Sequence, residues 1–175
     1  IDGTTTEAGF ARDVVAHEIR FLGTAPLPEA EQATMDDLLG GHLDCQRVKV
    51  SGVVKFIERR SSAPRIRLML GTQGGRKLPL MLMNVSEDEA RKVLDAEIEA
   101  TGVATSFFNE RGELIGVTVQ VPDVGGIVVK SAAPAEEAVP ARSLEILSQF
   151  NPERPSLQRV KVAGIVTFCR PGEFF

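Results

Sequence analysis

The sequence predicts a mainly β fold, in which five strands form a barrel and one helix lies between the third and fourth strands. Three observations on the 175-residue chain lead to this fold class. A strand-like motif occurs twice, three of five strand-like segments alternate apolar and polar residues, and one segment changes to the apolar period of a helix. Together they indicate a tandemly repeated β module.

The repeated motif occupies residues 46–56 (QRVKVSGVVKF) and 158–168 (QRVKVAGIVTF), with eight of eleven positions identical. The offset of 112 residues is the length of a small domain. An Ala-Pro linker precedes both copies, at Ala25-Pro26 and at Ala133-Pro134. We therefore predict the tail of a preceding module plus a linker at 1–30, a complete module at 31–133, and a linker with the first strand of a following module at 134–175.

Alternating apolar residues define the strands of the complete module. They are predicted at residues 46–57, 65–70, 78–82, 98–105 and 114–121, with a short extra strand at 127–130 and a strand-like run at 14–22 in the preceding tail. Gly52 lies inside the first of these strands, where an interior glycine marks the bend that a closed barrel needs. Turn residues at 71–75 and 109–112 separate neighbouring strands.

Capping residues predict where the helices begin. Ser86 and Glu89 form a capping box ahead of an apolar helical stripe, which places a helix between the third and fourth strands. Thr34 and Ser143 are predicted N-caps of short helices ahead of the two motif copies. The order of three strands, a helix and two strands is that of an OB-like Greek-key barrel, and a generic β-sandwich is the alternative.

Catalytic and cofactor motifs are missing from the sequence. It contains neither a Gly-x-Ser-x-Gly nucleophile elbow nor a phosphate loop, and its two histidines and two cysteines match no zinc pattern. We expect a non-enzymatic chain without cofactor or metal. Cys45 and Cys169 are interpreted as small buried apolar residues. No apolar run is long enough for a membrane helix, so any membrane contact is expected through segments outside these residues.

The strongest functional hint is an uneven distribution of charge. The chain has a net charge of −4, but residues 46–77 hold nine basic residues and one acid, so the remainder sums to −12. Arg47 with Lys49, and Arg65 with Arg67, are expected to converge on an anion if the first two strands pair antiparallel. The alternative is a face that packs against an acidic face of the next module. The candidate ligand-binding residues are Arg47, Lys49, Lys55, Arg65, Arg67, Arg76 and Lys77.

Three methionines alternate with leucines in the second and third predicted strands. Met81 and Met83 face opposite to Leu80 and Leu82, so if the leucines fill the barrel the methionines lie outside it or under a neighbouring module. Packing is the first interpretation of these methionines, including Met69, and a soft-metal or apolar-ligand face is the alternative.

Residues 44–54 and 158–168, with Arg170-Pro171-Gly172, resemble repeated OB-like modules of the extracytoplasmic sensor regions of bacterial sensor and hybrid histidine kinases. The segment 108–116 and the Ala-Pro linkers fit the same pattern, so the resemblance covers most of the chain. It implies a periplasmic or extracellular ligand-sensing or interaction module in two-component signal transduction, with the kinase core elsewhere. It implies no catalytic residues here.

The partners expected from this interpretation are neighbouring modules of the same chain and an anionic small ligand or glycan, and a homodimer is compatible with it. A second hypothesis is an OB-type protein that binds single-stranded nucleic acid or another polyanion. Against nucleic acid stand the acidic remainder of the chain and the lack of Tyr and Trp for stacking. A third hypothesis is a purely structural spacer array.

Overall fold

A computed structural model describes residues 1–8, 11–59, 65–145 and 159–170. The amino-terminal part is an antiparallel hairpin of two strands, β1 (Asp2–Ala8) and β2 (Ala11–Glu18). The strand predicted at 14–22 therefore begins earlier and ends at Glu18. This hairpin forms a sheet of its own, separate from the larger sheet of the chain.

Seven strands and two short helices make up the larger unit. They are β3 (Glu31–Gln32), α1 (Met35–Leu39), β4 (Arg47–Arg59), β5 (Ile66–Gly71), β6 (Lys77–Asn84), α2 (Glu87–Arg91), β7 (Glu97–Phe108), β8 (Leu114–Asp123) and β9 (Ile127–Ser131). The strand order is β3-β4-β5-β6-β8-β7-β9, and an additional pairing of β4 with β7 closes five of the strands into a barrel. The prediction of an OB-like five-stranded barrel with a helix between its third and fourth strands is confirmed.

The strand register shows how strongly the strands tilt. One circuit of paired residues starts on β4 and returns to β4 eleven positions further along, which includes one bulge between Val54 and Phe56. Such an offset requires strands that are steeply inclined to the barrel axis. The circuit runs through Arg47, Val103, Gln120, Met81, Arg67 and Glu58. The two ends of β4 therefore lie at different places around the barrel.

Leucines and valines fill the barrel, as the alternation predicts. The largest fully buried side chains are Leu38, Leu68, Leu70, Leu78, Leu80, Leu82, Ile98, Val48, Val50, Val54, Val119 and Val121. Met69, Met81 and Met83 point outward and are half-buried. The predicted opposition of leucines and methionines is confirmed, and the β5 and β6 strands present different chemistry on their two faces.

Two residues in left-handed conformation lead into the strands that close the barrel. Cys45 and Asp95 both have φ of 60°. The Cys45 N–H donates to the Ala104 carbonyl, and the Asp95 N–H donates to the Val54 carbonyl, each at 2.9 Å. Because each residue bonds to the opposite strand, β4 and β7 are tied together at both ends of their pairing.

Both predicted capping residues of the complete module are confirmed. Thr34 with Asp37 caps α1, and Ser86 with Glu89 caps α2, each as a full capping box. Of the helix predicted after Ser143, Leu144 and Glu145 are helical and the rest lies outside the described residues. In the part of the chain that the structure describes, no helix is long and apolar enough to cross a membrane.

The interpretation of the two cysteines is wrong. Cys45 and Cys169 are both exposed and neither forms a disulfide. Burial of its thiol, partial as it is, is the first cause that raises the pKa of Cys45, and the neighbouring carboxylate of Asp44 is the second.

Candidate functional site

The outward side chains of β5 and β6 form a mixed apolar and basic surface, which we call the β5–β6 face. It consists of Arg67 and Met69 of β5, Met81 and Met83 of β6, the adjoining Phe56 and Glu58 of β4, and Arg65 just before β5. Across the strands, Arg67 lies opposite Met81, and Phe56 lies opposite Met69. Cross-strand neighbours of this kind are close enough for their side chains to touch. The face is therefore a continuous patch on three adjacent strands.

Exposure differs across this face. Phe56 is 42 % exposed, and Arg65 is exposed just before β5. The three methionines are half-buried. Methionine adapts its shape to what it contacts, so this middle part can accommodate a flat or irregular ligand. The face offers an aromatic ring and a basic group beside an adaptable apolar floor.

Arg67 is held at the centre of the face. Its Nη1 lies 3.2 Å from Glu58 Oε2, and its side chain is 27 % exposed. Its Nε is buried and has no hydrogen-bond partner. A buried donor without a partner costs roughly 1–3 kcal/mol. Packing and the carboxylate of Glu58 thus hold the guanidinium of Arg67 in place, while its Nε–H group makes no hydrogen bond.

The register does not bring the two predicted basic pairs together. Arg47 and Lys49 lie opposite Val103 and Thr101 of β7. Arg67 instead lies opposite Glu58, near the carboxyl end of β4. β4 and β5 are antiparallel, as the convergence hypothesis assumed, but β5 ends before it reaches the first half of β4. Arg47 also donates from Nη1 to the Pro28 carbonyl at 2.7 Å, which ties it to the linker.

The remaining predicted residues lie apart from one another. Arg76 forms an ion pair with Asp36 of α1. Lys77 is exposed at the start of β6 and shares the outward side with the β5–β6 face. Lys55 is the bulge residue of β4, and burial lowers its pKa while the charge of Asp95 acts in the opposite direction. The seven candidates are thus distributed around the barrel.

Sequence reasoning missed two residues of this site, Phe56 and Glu58. In the sequence, Glu58 is only the single acid of residues 46–77, and its pairing with Arg67 depends on the register of β4 with β5. Phe56 was seen only as a repeated motif position. The glycine bend in the motif is the one sequence signal that the strand would not keep a simple alternation.

No family model matches the sequence, and none of the curated proteins matches it. Among solved structures, the chain is similar to asparaginyl-tRNA synthetase from Pyrococcus horikoshii complexed with asparaginyl-adenylate, at 20 % identity over 59 % of this chain and 23 % of that chain, with a TM-score of 0.45. It is also similar to aspartyl tRNA synthetase from Entamoeba histolytica, at 14 % identity over 77 % of this chain and 28 % of that chain, with a TM-score of 0.45.

A third similar structure is an OBody bound to hen egg-white lysozyme, at 16 % identity over 61 % of this chain and 98 % of that chain, with a TM-score of 0.43. The matches span less than a third of each synthetase chain. These similarities concern the fold alone. The class of protein that the fold defines is an OB-like barrel protein, and the ligand has to be argued from the β5–β6 face.

Proposed function

We propose that the chain is a non-catalytic OB-type binding module that holds single-stranded nucleic acid on its β5–β6 face. One observation supports this most directly: Arg67 of β5 and the exposed Phe56 of the neighbouring strand β4 lie on one outward face, and Arg65 is exposed just before β5. Proteins that bind single strands combine positive charge along the backbone path with rings on which bases stack. The surface of the second and third strands is also where OB barrels bind oligonucleotides.

The local charge of the face differs from that of the whole chain. The outward positions of β5 and β6 hold no acid, and the acid beside them is Glu58 of β4, which pairs with Arg67. Acidic residues are concentrated elsewhere, for example at Glu87 and Asp88 on α2 and at Glu110 in the β7–β8 turn. Phe56 offers a ring for stacking although the chain has no Tyr or Trp. The composition argument against nucleic acid therefore does not apply to this surface.

Binding of a labelled oligonucleotide, measured by fluorescence anisotropy at several salt concentrations, tests the proposal. We expect an affinity that falls with salt, with a logarithmic slope of about 0.7 for each phosphate contact. Arg65→Glu with Arg67→Glu should abolish binding. The matched control is Lys49→Glu with Lys92→Glu, which changes the net charge equally on other surfaces and should retain binding. Equal losses in both double variants would refute the assignment of the face.

Substitution of Glu58 is expected to raise the affinity for an oligonucleotide, whereas substitution of the arginines lowers it. Its carboxylate competes with a phosphate for the guanidinium of Arg67. Glu58→Gln should therefore tighten oligonucleotide binding several-fold at low salt, since it removes a negative charge from the site.

Phe56→Ala should weaken binding by roughly 1–3 kcal/mol if a base stacks on the ring. Equal binding of a labelled acidic polysaccharide, insensitive to Phe56→Ala, would indicate a general polyanion site instead.

A sensor module remains a second candidate function, supported by the recurrence of the strand motif at residues 158–168. In that case the parent chain carries a membrane span and a histidine kinase core, and the module faces the periplasm or the cell exterior. Sequencing the complete gene tests this candidate, and a parent chain without either feature would exclude it.

A further inference from the structure

Asp95 presents a carboxylate at the corner where β4 ends its pairing with β7. It has φ of 60°, a left-handed conformation that Asp tolerates better than most residues. Its N–H donates to the Val54 carbonyl, so the backbone at this corner is fixed. Its side chain is only 14 % exposed. Asp95 is therefore a negative charge at a fixed backbone position, and most of its side chain is covered while Arg159 is in contact with it.

The partner of this carboxylate comes from the second copy of the repeated motif. Arg159 forms an ion pair with Asp95 through Nη2 and Oδ2, across 64 residues of sequence. Arg159 occupies the same motif position as Arg47, which donates instead to the Pro28 carbonyl. The arginine of the first copy thus holds its own linker, whereas that of the second copy contacts the preceding barrel.

The second copy is joined to its own linker as the first copy is. Ala141 and Lys161 form a parallel bridge, and the Arg142 N–H donates to the Lys161 carbonyl at 2.8 Å. In the first copy, β3 pairs in parallel with β4, and the Ala33 N–H donates to the Lys49 carbonyl at 2.9 Å. The linker and the start of the second copy therefore form one unit, and Arg159 links this unit to the barrel.

We propose that Asp95 is the docking residue on the barrel for the arginine at the start of the second motif copy. The contact fixes the orientation of residues 139–142 and 159–162 relative to the barrel. The partner that this surface fits is the segment of the second motif copy that the structure describes from Arg159 onward. The proposal is independent of the ligand of the β5–β6 face, because Asp95 is not part of that face.

The two native cysteines allow a direct test. Cys45 precedes β4 and Cys169 lies in the segment after the second motif copy, and both are exposed. Nitroxide labels on them, attached at alkaline pH because the pKa of Cys45 is raised, report the distance between barrel and segment by double electron–electron resonance. We expect a narrow distance distribution in the native protein. Arg159→Gln and Asp95→Asn should each remove the narrow component, and the double variant should be no broader than either single variant.

Arg142→Gln is the matched control, because Arg142 lies in the same segment and is exposed. It should keep the narrow distribution. Asn tolerates the left-handed conformation, so Asp95→Asn removes the charge without new backbone strain. Circular dichroism checks the barrel, and if Asp95→Asn unfolds it, Arg159→Gln alone decides, since Arg159 lies outside the barrel. A narrow distribution in Arg159→Gln, or equal broadening in Arg142→Gln, would overturn the proposal.

Discussion

At the scale of single residues, Gly52 allows β4 to pass from its pairing with β7 to its pairing with β5. A Cβ at this position would lie 2.3 Å from the Gly71 carbonyl oxygen and 2.9 Å from Leu70 Cγ. The first of these atoms belongs to the backbone of the paired strand and cannot move without opening the barrel. We expect Gly52→Ala to lower the free energy of unfolding by about 3 kcal/mol, measured by denaturant titration.

The repeat supplies the control for this substitution. Gly164 is the same motif position in the second copy, and among the described residues a Cβ there would meet only Leu144 Cδ1, at 3.2 Å. The end of a flexible side chain can give way, so Gly164→Ala should change the free energy of unfolding by less than about 0.5 kcal/mol. Comparable effects at Gly52 and Gly164 would mean that the motif glycine acts through the unfolded chain and not through barrel geometry.

Phe56 shows where residue-level prediction reaches its limit. Val48, Val50 and Val54 are buried, and strict alternation would place Phe56 on the same inward side. The bulge between Val54 and Phe56 reverses the alternation and turns the ring outward. The position of a bulge depends on the strand that pairs with it, so it cannot be predicted from the sequence of β4 alone. The most exposed aromatic ring of the proposed site was therefore not predictable.

At the scale of elements, the capping box of α2 makes the stability of that helix depend on pH. Hydrogen bonds from the Ser86 side chain and backbone lower the pKa of Glu89 below its usual value. A carboxylate with a lowered folded-state pKa stabilises the fold above its unfolded pKa, and this stabilisation is lost as the pH falls through the folded-state value. Ser86→Ala should therefore move the pKa of Glu89 back towards 4.5, as measured by NMR titration.

The same variant has a consequence at neutral pH. Loss of an N-cap hydroxyl lowers the free energy of unfolding by about 1 kcal/mol. The difference between native protein and Ser86→Ala should shrink under acidic conditions, where Glu89 is protonated in both. The second capping box serves as the internal control, because the lowered pKa of Asp37 depends on Thr34 and should not respond. An unchanged pKa of Glu89 in Ser86→Ala would contradict this assignment.

Elements were more predictable than their arrangement, for a physical reason. A cap such as Ser86 with Glu89 acts within four residues, so its signal is contained in the local sequence. Alternation also fixed which side of β5 and β6 is buried, because the leucines must be removed from water. The additional pairing of β4 with β7, which closes the barrel, joins segments about fifty residues apart. No local pattern specifies the register of such a pairing.

At the scale of the whole molecule, barrel closure explains why a correct charge count did not locate the site. Residues 46–77 hold nine of the twenty basic residues and only one acid, but one circuit of the barrel displaces the pairing by eleven positions along β4. Arg47 therefore faces the β7 side, whereas Arg67 lies across from Glu58. Basic residues that are close in the sequence are therefore separated around the barrel. Of the seven candidates, Arg67 of β5 and Lys77 of β6 stay on one outward face, with Arg65 exposed just before β5.

Protection of backbone amides against hydrogen exchange should differ between the β1–β2 hairpin and the barrel strands. β1 and β2 pair with each other in a sheet of two strands, and Val14 and Val15 are at least half exposed. An isolated hairpin is marginally stable, whereas barrel strands open only when much of the core is exposed. We expect amides of β5, β6 and β8 to exchange through global unfolding and amides of the hairpin to exchange much faster. Mass spectrometry of deuterium uptake measures both in one experiment.

We expect Gly52→Ala to accelerate amide exchange in all five barrel strands by a common factor. The exchange rates of the hairpin amides should not change. A shared factor follows if the barrel unfolds as one cooperative unit, since every barrel amide then reports the same free energy. Acceleration confined to β4 and β5 would instead show that the strand pair opens locally. Hairpin amides as slow as those of β6 would show that β1 and β2 are stabilised by packing on the barrel, and the two sheets would then have to be treated as one folding unit.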